Sequence, residues 1–295
     1  MTAAPQLGLL LDVDGPIASP VTRTIAIQSI IDDLVALTAA GVPVAFITGR
    51  SDTFIREQVM VPLYAAGLSD ALAVPGARMF AVFEKGAAWA TVSPAGLGEV
   101  TVDATVALPQ AVCDEIRGLV ASDFSDTMFY DETKRAMISV EQRTDVASAD
   151  YRAQQDPFQE RAFEIVSAHG LGISWGSRAV PDDAGQTPFR IDPTIISTDI
   201  ESVLLDKDRG AERALEHFAA SGPLPTVWRS VGDSRSDYKM ADHVHAVGLE
   251  VAHVDVRPLD GMLDKPYQVI TEGDLIHDFA GAAFLEHWAV RLGTR

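Results

Sequence analysis

A single cysteine, Cys113, stands among 295 residues, so no disulfide can form within the chain and a reducing, cytoplasmic setting is expected. Positive charge is in deficit: 23 Lys and Arg face 42 Asp and Glu, a formal net charge of −19. A protein that binds a nucleic-acid duplex needs a basic stripe to displace counterions, so nucleic acid is not an expected partner. No apolar run approaches the roughly 20 residues of a membrane span. The opening MTAAPQLGLLLDVDG has no basic residue ahead of its apolar stretch, which stops at Asp12, so neither a signal peptide nor a membrane partner is expected. There is no Pro/Gly/Ser tract and no repeat of fixed period, and 47% of the residues are hydrophobic against 22% charged, which excludes disorder and permits a large core. The length suits one large domain carrying a smaller insertion.

What is present alternates between strand and helix. Residues 7–13, LGLLLDV, form a continuous apolar run ending in acid, as expected of a strand buried on both faces of a parallel sheet. A helix follows from about Thr24, with Ile27, Ile30, Ile31, Leu34 and Leu37 on one stripe and Gly41 as its stop. VPVAFITGR repeats the strand-into-loop pattern, and residues 51–66 read as a helix capped by Ser51 or Asp52. This βαβα order predicts a doubly wound α/β sheet. The theme resumes with a helix over 208–220, the strand TVWRSVGD, a short helix over 236–242, the strands HAVGLEV and PYQVIT, and a closing helix over 273–292. Between the two halves the texture changes. Helices over 109–121 and 158–169 alternate with strands, AMISVEQ and FRIDPTIISTDI, that are apolar on one face only, which predicts an antiparallel sheet covered on one side. The expected organisation is therefore a core of residues 1–85 and 200–295 with an α+β domain, 86–199, inserted into it. Cys113 falls on a helical stripe with Val112, Ile116, Leu119 and Val120 and reads as a structural thiol; Phe124, Phe129 and Tyr130 are expected in the insert's core. His217, His243, His245 and His253 show no ligand spacing and read as surface or boundary residues.

In an open parallel sheet, ligands collect beyond the carboxyl ends of the strands. Three strands end there in polar sets: Asp12-Val13-Asp14-Gly15, Thr48-Gly49-Arg50-Ser51, and Gly232-Asp233-Ser234-Arg235-Ser236-Asp237. A fourth set, Asp206-Lys207-Asp208-Arg209-Gly210, opens a helix. Carboxylates gathered in one crevice repel and call for a divalent cation, and oxygen donors without His or Cys indicate Mg²⁺. Lys207 and Thr48 would complete a cradle for phosphate. Arg50 is either a solvated charge or a clamp near that cradle. An isolated Asp-x-Asp-Gly is commonly a turn; its place after an apolar strand and the later Gly-Asp-x-x-x-Asp favour a site.

The ordered set DxDG, Thr, Lys and GDxxxD resembles the haloacid dehalogenase (HAD) superfamily of phosphohydrolases over the whole chain. The resemblance implies that Asp12 is the nucleophile that forms an aspartyl-phosphate and that Asp14 is the general acid and base. It implies that Asp12, the Asp14 carbonyl and Asp233 hold Mg²⁺ with Asp237 in support, and that Thr48 and Lys207, flanked by Gly49 and Arg50, bind the phosphoryl group. The family usually places Thr after DxDG; here Pro16 follows, removing a donor without removing a ligand.

About thirty residues separate Asp14 from Thr48 and about a hundred and sixty separate Thr48 from Lys207, so the insertion lies in the second interval. That arrangement resembles the sucrose-phosphate, trehalose-6-phosphate and mannosyl-phosphoglycerate phosphatases and the Cof-like phosphatases, with AVFEKGAAW resembling their crossing into the cap. The implied activity is Mg²⁺-dependent hydrolysis of a sugar phosphate or similar small phosphorylated metabolite, with specificity in the cap. Arg143 and Arg178 are candidates for substrate contact there, alongside Lys134, Arg135 and Arg190, with Glu141, Ser174, Trp175 and Ser177 for hydroxyl groups. A phosphotransferase or mutase on the same machinery, or a non-catalytic ligand-binding or regulatory module, are the alternatives.

Overall fold

The computed structural model describes residues 5–294. In chain order its elements begin β1 (Leu7–Leu11), α1 (Gln28–Ala39), β2 (Val44–Ile47) and α2 (Asp52–Ile55), the last running through a π-helical stretch, Arg56–Met60, into α3 (Val61–Ala65). Then come α4 (Leu68–Ala73), β3 (Met79–Phe83), β4 (Ala88–Ser93), β5 (Gly96–Leu97) and β6 (Thr101–Val102). The next stretch holds α5 (Gln110–Leu119), β7 (Met128–Tyr130), β8 (Ile138–Gln142), α6 (Ser148–Ala168), β9 (Ile173–Trp175), β10 (Arg178–Val180), β11 (Phe189–Pro193) and β12 (Ser197–Ser202). The chain closes with α7 (Lys207–Ser221), β13 (Val227–Gly232), α8 (Tyr238–Ala246), β14 (Glu250–Asp255), β15 (Gln268–Ile270) and α9 (His277–Arg291). No helix among the described residues is long and apolar enough to cross a membrane.

The chain divides into two compact units, one built from Met1–Thr101 with Asp206–Arg295 and the other from Val102–Leu205. In the first, the sheet runs β15-β14-β13-β1-β2-β3-β4-β5. From β15 to β3 every pairing is parallel; β4 and β5 add an antiparallel edge. β1, β2 and β3 are buried along their whole length, as strands covered on both faces must be. Alternation sends Leu10, Ala45, Ile47, Phe80 and Val82 to a core shared with Ala211, Ala214, Leu215 and Phe218 of α7 and Met240, Ala241 and Val244 of α8. On α1, Ile30, Ile31, Leu34 and Leu37 are buried, and that helix packs on α9 and α4.

The hairpin β4–β5, assigned to the insert by sequence, is bonded to β3 and belongs to this unit, so the division falls later than residues 85 and 199. β4 is fully buried on alternate residues only, the mark of a strand covered on one face, and that pattern is shared with the insert.

The second unit has a sheet of order β10-β9-β11-β12-β8-β7 with α5 and α6 over one face. Its core joins Val112, Ile116 and Leu119 of α5 and Tyr151, Phe158, Ala162 and Val166 of α6 to Ile138, Val140, Phe189, Ile191 and Ile200 of the strands. FRIDPTIISTDI is two strands joined by a tight turn, not one. α6 begins ten residues before Phe158 and passes through Pro157; Tyr151, Phe158, Ala162 and Val166 are buried along it, and that packing outweighs the roughly 3 kcal/mol that an interior proline costs. Phe124 is buried and Tyr130 partly so, but Phe129 points away from the core and is 41% exposed, since Met128 takes the inward position on β7. Cys113 is half-buried against this core, and burial pushes its thiol up.

Candidate active site

Strand order reverses at β1: the chain leaves it toward β2 and β3 and returns on its other side at β13. A crevice opens at such a point beyond the carboxyl ends of the strands. Asp12 follows β1, Thr48 follows β2 and Asp233 follows β13, so the topology brings three of the four sequence motifs to one edge. The fourth arrives on the first turn of α7, where Asp206 caps the helix by accepting from the Lys207 N–H. Gly210 lets that turn close on β2; a Cβ there would fall 2.3 Å from Ile47 Cγ2.

Lys207 is buried, and its ammonium makes three contacts: 2.6 Å to Asp12 Oδ1, 2.7 Å to Asp237 Oδ1, and a hydrogen bond of 2.9 Å to the Ile47 carbonyl. Those use all three of its protons. The other oxygen of Asp237, Oδ2, accepts from the Asp233 N–H at 3.1 Å, the Ser234 N–H at 2.9 Å and the Ser234 hydroxyl at 2.8 Å. Asp237 therefore both shapes the loop after β13 and holds Lys207. Asp12 Oδ1 also accepts from the Val13 N–H at 2.7 Å.

Asp12, Asp233 and Asp237 each offer an oxygen, all within 4.8 Å of one another. Gly15, at φ +96°, makes room for this; a Cβ would sit 2.7 Å from the Asp233 carboxyl carbon. Burial, and then the charge of Asp237, push the Asp12 carboxyl well above the ordinary carboxylate range against the pull of Lys207. Burial likewise raises Asp233 to about 6, with Asp237 adding to it. For Asp237 burial acts upward, but Lys207 outweighs it and holds the group low. Burial would lower Lys207, yet Asp12 and Asp237 hold its proton more tightly than usual. Three carboxylates against one ammonium leave two negative charges uncompensated, and the donors are all oxygen. That set fits a hard divalent cation.

Asp14 and Arg50 form a second, separate pair, with Arg50 Nε donating to Oδ2 at 2.9 Å and Nη2 to Oδ1 at 3.1 Å. The guanidinium also lies 4.8 Å over the Phe54 ring. Thr48 is buried; its hydroxyl oxygen accepts from the Arg50 N–H at 3.0 Å, which leaves its proton to donate. Gly49 lies between them in the chain.

The two insert arginines expected to touch substrate are occupied at the surface of their own unit. Arg143 pairs with Asp145 at 2.8 Å and donates to the Ser125 carbonyl. Arg178 pairs with Glu160 at 2.5 Å and stacks over Phe163 and Trp175. The sheet face opposite the insert's helices carries a polar group that includes Arg190, a candidate from the sequence, with three residues that were not: Ser139 donates to Asp199 at 2.7 Å, and Arg190 donates to Glu201 at 2.7 Å. Ser139, Asp199 and Glu201 are all buried.

The fold has relatives among solved structures. The C-terminal domain of C. albicans trehalose-6-phosphate phosphatase superimposes with a TM-score of 0.61 at 12% identity, covering 98% of this chain and 93% of that one. A haloacid dehalogenase-like hydrolase from Bacteroides thetaiotaomicron gives 0.55 at 12% identity, covering 96% and 99%. The chain has the fold of the haloacid dehalogenase-like hydrolases. Plasmodium falciparum IMP-nucleotidase shares this fold too, at 0.53 and 10% identity, over 96% of this chain and 62% of that one. No protein-family model matches the chain, and no curated protein matches it in sequence.

Two histidines of this HAD-like core depart from the sequence reading. His253, expected at the surface or its boundary, is fully buried on β14, bonded to Ser230 at 2.8 Å and packed at a tilt against the Tyr238 ring; its strand is covered on both faces, and a histidine breaks the apolar pattern there. His277 was not singled out, and its Nδ1 lies 3.7 Å from Asp233 Oδ2.

Proposed function

We propose that this chain is a Mg²⁺-dependent phosphomonoesterase that hydrolyses a small phosphorylated metabolite, of the sugar phosphate class, through an aspartyl-phosphate on Asp12. The observation that carries the reading is the state of Asp12: a buried carboxylate whose contacts with Lys207 and Val13 both fall on Oδ1, so that Oδ2 carries no hydrogen bond among the described residues. Similar folds in solved phosphatases, trehalose-6-phosphate phosphatase among them, support it.

Asp12 Oδ2 attacks phosphorus, the bond from phosphorus to the ester oxygen breaks, and that oxygen takes a proton from Asp14. Water then attacks the phosphorus of the acyl phosphate, gives its proton back to Asp14, and the P–O bond to Asp12 breaks to release inorganic phosphate. Lys207, held by Asp237, offsets the charge beside Asp12. The Thr48 hydroxyl donates to a phosphoryl oxygen. Arg50 exchanges the Asp14 carboxylate for the phosphoryl group when substrate arrives, which frees Asp14 to carry its proton; a guanidinium suits either partner because its fork binds carboxylate and phosphate alike. Asp12, Asp233 and the Asp14 carbonyl would hold Mg²⁺, with Asp237 fixing the loop that carries Asp233. Bound there, the cation cancels the carboxylate charge that would otherwise repel a dianion.

Selection among leaving groups is proposed for the insert, through the polar sheet face of Ser139, Arg190, Asp199 and Glu201 before Arg143 or Arg178. Hydrolysis of p-nitrophenyl phosphate and of a panel of sugar phosphates, with and without EDTA, tests the function. Turnover that stops in EDTA and returns with Mg²⁺ is expected; no turnover of any phosphomonoester, or equal rates with chelator, would refute it.

A further inference from the structure

His277 is the first residue of α9 and holds φ at +52°, a left-handed conformation uncommon outside glycine, although asparagine, aspartate and histidine enter it more often than other residues. Its N–H donates to the Val256 carbonyl at 2.8 Å, which fixes the turn at the end of β14. Backbone strain of this kind persists only where its surroundings impose it, and it is a reason to ask what the side chain gains. The imidazole Nδ1 is buried, makes no hydrogen bond among the described residues, and lies 3.7 Å from Asp233 Oδ2.

The helix that carries it is fixed against the first motif. Gly281, one turn on and on the same face as His277, lies so close to the DVDGP loop that a Cβ would fall 1.8 Å from the Pro16 carbonyl oxygen. Two contacts of one helix face thus bracket the crevice: Gly281 against Pro16, and His277 toward Asp233.

We propose that His277 is a positioning residue for Asp233: its Nδ1–H donates to the Asp233 carboxylate and fixes the oxygen presented to the divalent cation. The inference rests on the metal reading above. A separation of 3.7 Å is one small side-chain rotation from hydrogen-bond range. Histidine is suited to this because a neutral imidazole can carry its proton on Nδ1 and donate without adding charge.

The test is calorimetric titration of Mg²⁺ alone into the full chain and into His277→Gly and His277→Asn. Glycine relieves the backbone and removes the donor; asparagine tolerates the backbone and keeps a donor. We expect His277→Gly to melt at or above the wild-type temperature yet bind Mg²⁺ about 10- to 100-fold more weakly, the usual loss for a partner of a metal ligand, and His277→Asn to recover most of the affinity. Wild-type affinity in His277→Gly would overturn the role of His277 alone. Weakened binding in both variants together with a lower melting temperature would overturn it in favour of a merely structural residue. Absence of Mg²⁺ binding in the wild type would overturn the metal reading itself and this inference with it.

Discussion

Lys207 and Asp237 are paired at 2.7 Å, both buried, and the pair places an ammonium against Asp12 before any substrate is present. Removing one partner of a buried pair leaves the other uncompensated, at a cost of about 3–5 kcal/mol. Lys207→Met, which strands two carboxylates, should therefore destabilise the chain by that order in EDTA and regain part of the loss with Mg²⁺. Urea denaturation with and without the cation measures it. A loss unchanged by Mg²⁺ would mean that the carboxylates are not the cation's ligands.

Asp237→Asn keeps the acceptor for the loop N–H groups but weakens the hold on Lys207. Activity should fall by at least about tenfold through kcat with KM little changed, because the lost interaction bears on the transition state rather than on ground-state binding. Steady-state kinetics would decide, and a change confined to KM would contradict this role for Asp237.

Arg50 is bonded to Asp14 through two parallel N–H groups, a geometry that lysine cannot reproduce. Arg50→Ala and Arg50→Lys should both lower kcat/KM by about 10- to 100-fold. A lysine variant with near-native kcat/KM would show that only the charge matters and would remove the partner exchange from the mechanism.

His253 supplies a pH dependence of stability. Burial lowers its pKa from 6.5 to about 4, so the native state favours the neutral ring. Above pH 6.5 the ring is neutral folded or unfolded, and stability is undiminished. As pH falls below 6.5 the unfolded chain takes up the proton first, and stability drains away until the native state also titrates near 4. Relative to His253→Gln, the wild type should lose on the order of 3 kcal/mol between pH 7 and pH 4. Denaturation midpoints at several pH values would check this; parallel curves for the two proteins would contradict it.

Asp199 belongs to the insert's polar sheet face, while Arg143 is tied to Asp145. Asp199→Asn should raise KM for the preferred sugar phosphate about tenfold and leave p-nitrophenyl phosphate turnover unchanged, since the latter offers no hydroxyls to read. Arg143→Ala should alter neither. The opposite result would return selection to the arginines.

The core was legible in the sequence because strands covered on both faces read as apolar runs, and the runs 7–11, 44–47 and 227–232 each end in a motif of Asp or Thr. Once those strands are parallel neighbours, Asp12, Thr48 and Asp233 meet without further information. Pairings within the site were not legible. Nothing in the spacing of Asp14 and Arg50, 36 residues apart, says that they bond, nor that Asp237, whose oxygen also lies in the carboxylate cluster, bonds to Lys207 and to the N–H groups of its own loop. His277 escaped because its signal is a backbone angle. In the insert, one-face alternation revealed the sheet but not that FRIDPTIISTDI turns, although Pro193, which cannot donate to a ladder, marks the place.

The central claim is that Asp12 carries the phosphoryl group, and reductive trapping tests it most directly. An acyl phosphate is reduced by borohydride to an alcohol, which would convert Asp12 to homoserine. Quenching the enzyme with borohydride during steady turnover of a phosphomonoester, followed by mass spectrometry of the peptide that contains LLLDVDGP, should show the reduced residue at position 12, dependent on substrate and absent from Asp12→Asn. An unmodified Asp12 in enzyme quenched while turning over, or reduction at another carboxylate, would contradict the account.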